Sequence, residues 1–303
     1  MKKALLQMHL AVLFWGFTGV LGKLISLSAP VLVWYRMGLT AIILALIIQY
    51  RKLWQPITRK DILRIIGIGA LFVVHWVLFY AAIKLANAAI ALICLSTASV
   101  FTAVIDPLFN KRAINPVEIV LSVIAIIGVY LIYALQTETE RNAMVNFPLG
   151  LLFGILAAII SAVFTVFNKP LTQQYAPRIL VFYEMLMGFV LLSIFLPFYL
   201  QYAPGEELIP RNWDILWMFC LVYFCTVLGQ SLAMSALQHL SSFTATFTVN
   251  LEPLYGILLA FWLLGEHKEV NWGFHTGVSV IALSVVLQAY LMVRQKKKSR
   301  LST

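Results

Sequence analysis

Glu252 and Pro253 stand side by side at the centre of a run from Ser241 to Leu264 that holds no other charged residue, within the stretch TVNLEPLYG at 248–256. On insertion scales an acidic side chain at mid-membrane costs about 2.5–3.5 kcal/mol, so Glu252 must face the interior of a bundle or a wet cavity. There it can carry a proton, or it can hold a hydrogen bond or ion pair to another helix. Pro253 lacks an N–H and leaves the carbonyl of Val249 without its helical partner. Inside a membrane that carbonyl must be met by protein, water or substrate. Thr244, Thr248 and Glu252 share one face at four-residue spacing, and Thr246 and Asn250 form a second polar line. A helix polar on two sides is predicted to be surrounded by protein.

Other residues could join it. Phe72, Trp76, Tyr80 and Lys84 recur at four-residue spacing, a wall of three rings with an ammonium at its end. Such a wall suits a flat apolar solute bearing a carboxylate, although aromatic stripes also pack helices and Lys84 can snorkel. His75 lies at mid-span and could relay protons or sit as a satisfied core residue. Gln230 adds a polar group to a later span. Ser96 and Ser99, in the small polar stretch Ser96-Thr97-Ala98-Ser99, are expected to face the Glu252 level across a cavity, or to pack helices. Arg36 and Glu184 are candidate gate residues or interface anchors. Asp106 is expected to pair with Lys111 or Arg112.

The elements that must position these groups follow from composition. Of 303 residues, 62% are hydrophobic and 11% charged, more apolar surface than a soluble domain of this size can hide. Apolar runs long enough to cross a ~30 Å hydrocarbon core recur at 4–25, 30–49, 62–83, 86–109, 115–135, 148–168, 178–200, 213–237, 241–264 and 271–293. The expected fold is an all-α integral membrane protein of ten transmembrane helices. The basic N-terminus resembles a signal peptide, but Pro30 follows its only small-residue site, so the segment is read as a retained first helix. With ten spans, 16 basic residues fall on the side of the termini and 6 on the other. That bias places both termini in the cytoplasm of a bacterial inner membrane. It also accounts for the net charge of +10 and the tail RQKKKSR through topology and anionic lipid, with no nucleic acid. Cys94, Cys220 and Cys225 lie inside spans without ligand spacing and are read as packing residues; no metal or cofactor is expected.

A shift of 154 residues, without gaps, lays the fourth span on the ninth and the fifth on the tenth. The first and sixth spans agree in outline: Lys23 and Lys169 end them, Ala29-Pro30 and Ala176-Pro177 follow, then Trp34-Tyr35-Arg36 and Phe182-Tyr183-Glu184. Residues 1–137 and 148–293 therefore read as two five-helix repeats, with 294–303 as a basic cytoplasmic tail. Five is odd, so the second repeat is inverted relative to the first. Inverted repeats around a central cavity can exchange conformations and expose a site to each side in turn, which points to a secondary transporter.

The stretches FWGFTGVLGKLIS, AAIKLANAAIALICLSTASVF and NLEPLYGILLAFWLLGEH resemble the EamA branch of the drug/metabolite transporter superfamily over nearly the whole chain. The first repeat departs from that pattern, with Lys111-Arg112 in place of a Gly-Glu pair and Ser99 in place of the proline. The resemblance implies an inverted ten-helix bundle around a central cavity, often exporting amino acids or other small metabolites. The expected function is such export by alternating access, either uncoupled or with protons as the coupling ion, by a monomer or homodimer. Nucleotide-linked, sugar-linked or drug-like solutes are the alternative within transport. A phosphorylated solute would call for a basic cluster inside the bundle, so a zwitterionic or hydrophobic solute is favoured. A membrane enzyme would need clustered catalytic groups, and no metal-binding or nucleophile motif stands in the sequence; a channel would need repeated polar rings.

Overall fold

Proline and short polar side chains start the helices. Pro30, Pro148 and Pro177 occupy first turns, where a missing N–H costs nothing. Thr58, Asn87 and Asn146 cap the N–H groups of Asp61, Ile90 and Leu149. In the computed structural model the described residues are 2–111, 113–135, 138, 144–203, 205–249, 251–263, 265, 272, 273, 275–280, 282–284, 286, 287 and 290. Asn250, Arg112, Glu266, Lys268 and the basic tail lie outside them.

The first three spans are α1 (Lys2–Leu24), α2 (Ala29–Tyr50) and α3 (Arg59–Leu85). The fourth is divided into α4 (Ala88–Ser96) and α5 (Ala98–Asn110), and α6 (Pro116–Leu135) closes the first repeat. The second repeat begins with α7 (Phe147–Leu171) and α8 (Pro177–Tyr202). Its next span is α9 (Asp214–Cys220), a π-helical segment (Leu221–Leu228) and α10 (Gly229–Leu237) in continuous succession. The ninth span is divided into α11 (Ser242–Val249) and α12 (Glu252–Leu263), and the tenth is described in part. Seven of the described helical stretches are long and apolar enough to cross a membrane by themselves. The chain is an all-helical membrane protein of the ten-helix class anticipated from its apolar runs.

The interruption in the ninth span falls where Pro253 was expected to disturb the helix; that in the fourth is new relative to the sequence reading, and the two correspond. Thr97 and Leu251, the two turn residues, are 154 positions apart. Pro253 accounts for the second break. The first has no proline there; instead the hydroxyls of Ser96 and Thr97 bond back to the carbonyls of Ile93 and Cys94 at 2.7 and 2.6 Å, a competition that bends helices.

Packing between the repeats obeys the inversion. α3 lies against α7 as α1 lies against α10, and α5 lies against α7 as α12 lies against α1. Likewise α8 packs on α3 as α2 packs on the π segment. Leu46, Leu63, Phe195 and Trp262 are exposed on the outside, the face that lipid would cover. Arg36 heads the fully buried side chains by volume, an expense that a membrane protein accepts only where the charge has partners.

Candidate functional site

The inner faces of α1, α2, α3, α7, α10 and the two broken spans enclose a central cavity. It holds about 80 Å³ to the centres of water-sized spheres, room for several waters or one small solute. Trp15, Trp76, Phe79 and Phe164 form its aromatic walls, with Arg36, His75, Asn168, Gln230, Thr246 and Glu252 among its polar groups. Apolar surface with a few convergent polar groups is the usual make-up of a small-molecule site.

Arg36 is 1% exposed and reaches in from α2. Its Nε donates to the Thr226 hydroxyl at 2.8 Å, its Nη1 to the Tyr80 hydroxyl at 2.7 Å, and its guanidinium lies 3.8 Å from the Trp76 ring centroid. Nη2 has no hydrogen-bond partner among the described residues. Thr226 belongs to the π-helical segment, and its own hydroxyl donates to the Leu221 carbonyl five residues back. The same wide turn lets the Cys225 carbonyl accept from Trp15 Nε1 at 2.9 Å. Single π turns recur at functional sites because they aim groups away from the regular ladder. Here they hold a guanidinium and an indole.

Glu252 opens α12, where the helix dipole favours a carboxylate. It is 4% exposed and lines the same cavity. Arg36 is the charged group that acts on it, yet among the described residues no hydrogen bond or ion pair engages the carboxylate. One cavity thus holds a guanidinium with a spare N–H edge and a carboxylate with both oxygens unengaged.

Several sequence candidates meet here. Trp76, His75 and Gln230 line the cavity together with Arg36 and Glu252. His75 holds the Ala157 carbonyl through Nδ1 at 2.8 Å, which orients the ring. Tyr80 stands behind Arg36, as its support. Lys84 lies away from the cavity, donating to the Ile25 carbonyl at 3.1 Å. Phe72 stacks on Phe164 with centroids 4.1 Å apart, behind the wall. Ser96 and Thr248 are buried with their hydroxyls bonded to carbonyls of their own helices, and Ser99 makes a longer contact of that kind, 3.4 Å. Leu95, Ala98, Thr246 and Val249 line the cavity at those levels. Pro253 is described in its backbone and follows Glu252 in the first turn of α12; Asn250 lies outside the described residues. Glu184 is fully buried on α8, beside Asn168, and is not on the cavity wall.

Two further carboxylates escaped sequence reasoning. At the bundle end that carries the N-terminus, Asp61 accepts from Tyr175 Oη and Thr58 Oγ1 at 2.8 Å each, and from Arg64 at 3.0 Å. At the opposite end, Asp214 accepts from the backbone N–H and the hydroxyl of Ser26. Each carboxylate begins a span, the third or the eighth, and holds the loop that follows the first span of the other repeat. The offset of 153 residues between Asp61 and Asp214, close to the 154 of the repeat, was the signal that could have found them. Among the described residues no group of three or more metal-ligating side chains occurs.

Comparison with known proteins agrees with this architecture. The model of the EamA-like transporter family matches the chain twice, over residues 2–134 and 148–288. A protein of Clostridium kluyveri described as an uncharacterized transporter is 25% identical over 281 residues, covering 89% of this chain and 88% of that protein. A second uncharacterized transporter, from Synechocystis, is 26% identical over 225 residues, or 72% of this chain and 63% of its own. A solved crystal structure superposes with a TM-score of 0.68 at 14% identity, covering 97% of this chain and 99% of the other, a likeness of fold.

Proposed function

The chain belongs to the EamA-like transporter family, and we propose that it moves small zwitterionic metabolites, amino acids first, by alternating access. The observation that carries this reading is the pair Arg36 and Glu252, which share one cavity without engaging each other directly. A free amino acid brings a carboxylate and an ammonium on one carbon. The Nη2 edge of Arg36 would take the carboxylate by a charge-assisted hydrogen bond, and Glu252 would take the ammonium. Trp76, Phe79 and Phe164 would enclose an apolar side chain. Arg36 is the one arginine or lysine among the lining residues, which counts against phosphorylated or nucleotide-linked solutes.

The gates in this proposal are the two carboxylate latches. Releasing Asp61 from Tyr175 would let one end of the bundle part, and releasing Asp214 from Ser26 would let the other. Arg36 and Glu184, which the duplication suggested as gates, lie deep in the bundle instead. The basic-residue bias supports a bacterial inner-membrane location with both termini in the cytoplasm. Export coupled to proton entry completes the proposal.

Counterflow into proteoliposomes of the full chain tests it. Vesicles loaded with unlabelled L-leucine or L-phenylalanine should accumulate the labelled amino acid above protein-free vesicles. Counterflow by a sugar or nucleotide, and by none of a panel of amino acids, would overturn the substrate class.

A further inference from the structure

Glu184 stands apart from every interaction described so far. It is 0% exposed, seven residues into α8, and among the described residues neither carboxylate oxygen has a hydrogen-bond partner. The neighbouring Asn168, also 0% exposed, has both side-chain atoms unpartnered, and it lines the central cavity. Two orphaned polar groups therefore sit side by side, one reaching the cavity and one behind it. The site is tightly built: α3 passes so close that a Cβ on Gly69 would come 2.9 Å from the Glu184 carbonyl oxygen.

Among the described residues, the elements packed on α8 offer no counter-charge. On α2, Arg36 is turned to Tyr80 and Thr226. On α3, His75 is turned to the Ala157 carbonyl, Lys84 to that of Ile25, and Asp61 with Arg64 to the bundle end. The α10 segment carries no titratable side chain. On α7, Lys169 donates to the carbonyls of Leu237 and Gln238. Apart from burial, Asn168 is the one group that acts on the carboxylate. An ionised carboxylate so placed, without donor or cation, is too expensive to keep, so a cation must accompany it. A metal ion would need a cage of oxygens, and one carboxylate with one amide does not make it. A proton suffices.

We propose that Glu184 and Asn168 form the proton-coupling site of this transporter, separate from the substrate charges Arg36 and Glu252. Asn168 connects the two, since it is among the residues around the cavity and neighbours the carboxylate. A solute or water reaching Asn168 changes what the amide can offer Glu184, and proton release follows. The inference rests on the transport reading for its direction of coupling, but the occupancy of the site by a proton can be measured without a substrate.

Two measurements on the purified full chain decide it. In infrared difference spectra taken across a pH titration, the carbonyl-stretch band of a buried neutral carboxylic acid should be present in wild type, absent in Glu184→Gln, and shifted in Asn168→Ala. Absence of any such band assignable to Glu184 at neutral pH overturns the proposal, whatever the protein transports. In proteoliposomes, one proton per solute makes a gradient of one pH unit worth about tenfold accumulation of labelled L-leucine or L-phenylalanine. The ratio of gradient-driven to gradient-free uptake should fall to about one in Glu184→Gln and recover, with a displaced pH midpoint, in Glu184→Asp. Persistence of the wild-type ratio in Glu184→Gln, or its loss in Glu252→Gln alone, overturns the assignment to Glu184. A wild type that shows the band but moves no amino acid would refute the substrate class and leave the proton site standing.

Discussion

Replacing Arg36 with glutamine separates recognition of a carboxylate from support of the fold. The guanidinium makes two hydrogen bonds to neutral groups and leaves Nη2 for a ligand. Truncating one partner of a buried hydrogen-bonded charge pair costs about 2–5 kcal/mol of binding. The cavity admits several waters that can replace the lost donor in part, so the lower end applies, about 2–3 kcal/mol, or roughly 30- to 150-fold in affinity. The structural side effect is separate. Thr226 keeps its bond to Leu221, but the fully buried Tyr80 hydroxyl loses its donor, Arg36 Nη1, an expected loss of about 1–3 kcal/mol in stability. Binding of L-leucine and of L-leucinamide, which lacks the carboxylate, to wild type and Arg36→Gln forms a cycle that isolates the recognised group. Leucine should lose the full 30- to 150-fold, and leucinamide less than about threefold. A thermal-unfolding midpoint on each sample reports the Tyr80 effect. Equal losses for both ligands would refute the reasoning, because Arg36 would then shape the cavity without touching a carboxylate.

The complementary substitution, Glu252→Gln, should weaken L-leucine by a similar factor and spare 4-methylpentanoate, which lacks the ammonium; competition binding checks it, and equal losses would count against a role in ammonium recognition. Gly229→Ala places a Cβ 2.8 Å from Trp15 Nε1, so the indole must leave the Cys225 carbonyl. The expected cost is about 1–3 kcal/mol in unfolding, with a change in the tryptophan emission. Asp61→Asn and Asp214→Asn should each bias the bundle to open at one end, and at opposite ends. Thiol labelling of single cysteines placed at positions 58 and 28, in a cysteine-free background, should rise several-fold in the matching variant; a rise at both ends in each would refute alternate gating. Pro253→Ala supplies an N–H for the Val249 carbonyl and should slow counterflow while raising the unfolding midpoint, and a faster rate would sink the idea that the break serves transport.

Much of this architecture was legible because a membrane makes apolar length informative: a run that must cross hydrocarbon announces itself. The break at Glu252-Pro253 was legible for the same reason, since both residues are costly where they stand. The break at Thr97 was not, because its cause is hydroxyl-to-carbonyl bonding that serine and threonine can equally forgo. Lys84 was misleading as the end of an aromatic wall. Four-residue steps advance about 400° each, so from Phe72 to Lys84 the face turns by about 120°, and the ammonium leaves the cavity. Arg36 looked like an interface residue, yet it lies seven positions into a helix that starts at Ala29, about 10 Å down its axis. Glu184 had no visible counter-charge in the sequence because it has none among the described residues.

Inversion explains which of these features are mechanical and which are chemical. Under the proposed alternating access, features that occur once in each repeat bear on movement, because two halves that exchange conformations must carry equivalent hinges and latches. The breaks at Thr97 and Leu251 and the latches Asp61 and Asp214 are of this kind. On the proposed alternating-access cycle, features that violate the symmetry are the ones left to serve the cargo. Glu252 corresponds to Ala98, the π-helical segment to a regular stretch of α3, and Arg36, engaged by Tyr80 and Thr226, to Glu184, which has the amide of Asn168 beside it and no counter-charge among the described residues. Each departure puts a charge, or the support of a charge, on one side of the pseudo-axis only. A solute with two unlike ends needs that asymmetry, since a symmetric cavity would offer both ends the same partner. On the same proposal, Glu184, without a counter-charge among the described residues, is the position whose counterpart would be a proton and not a charged protein group.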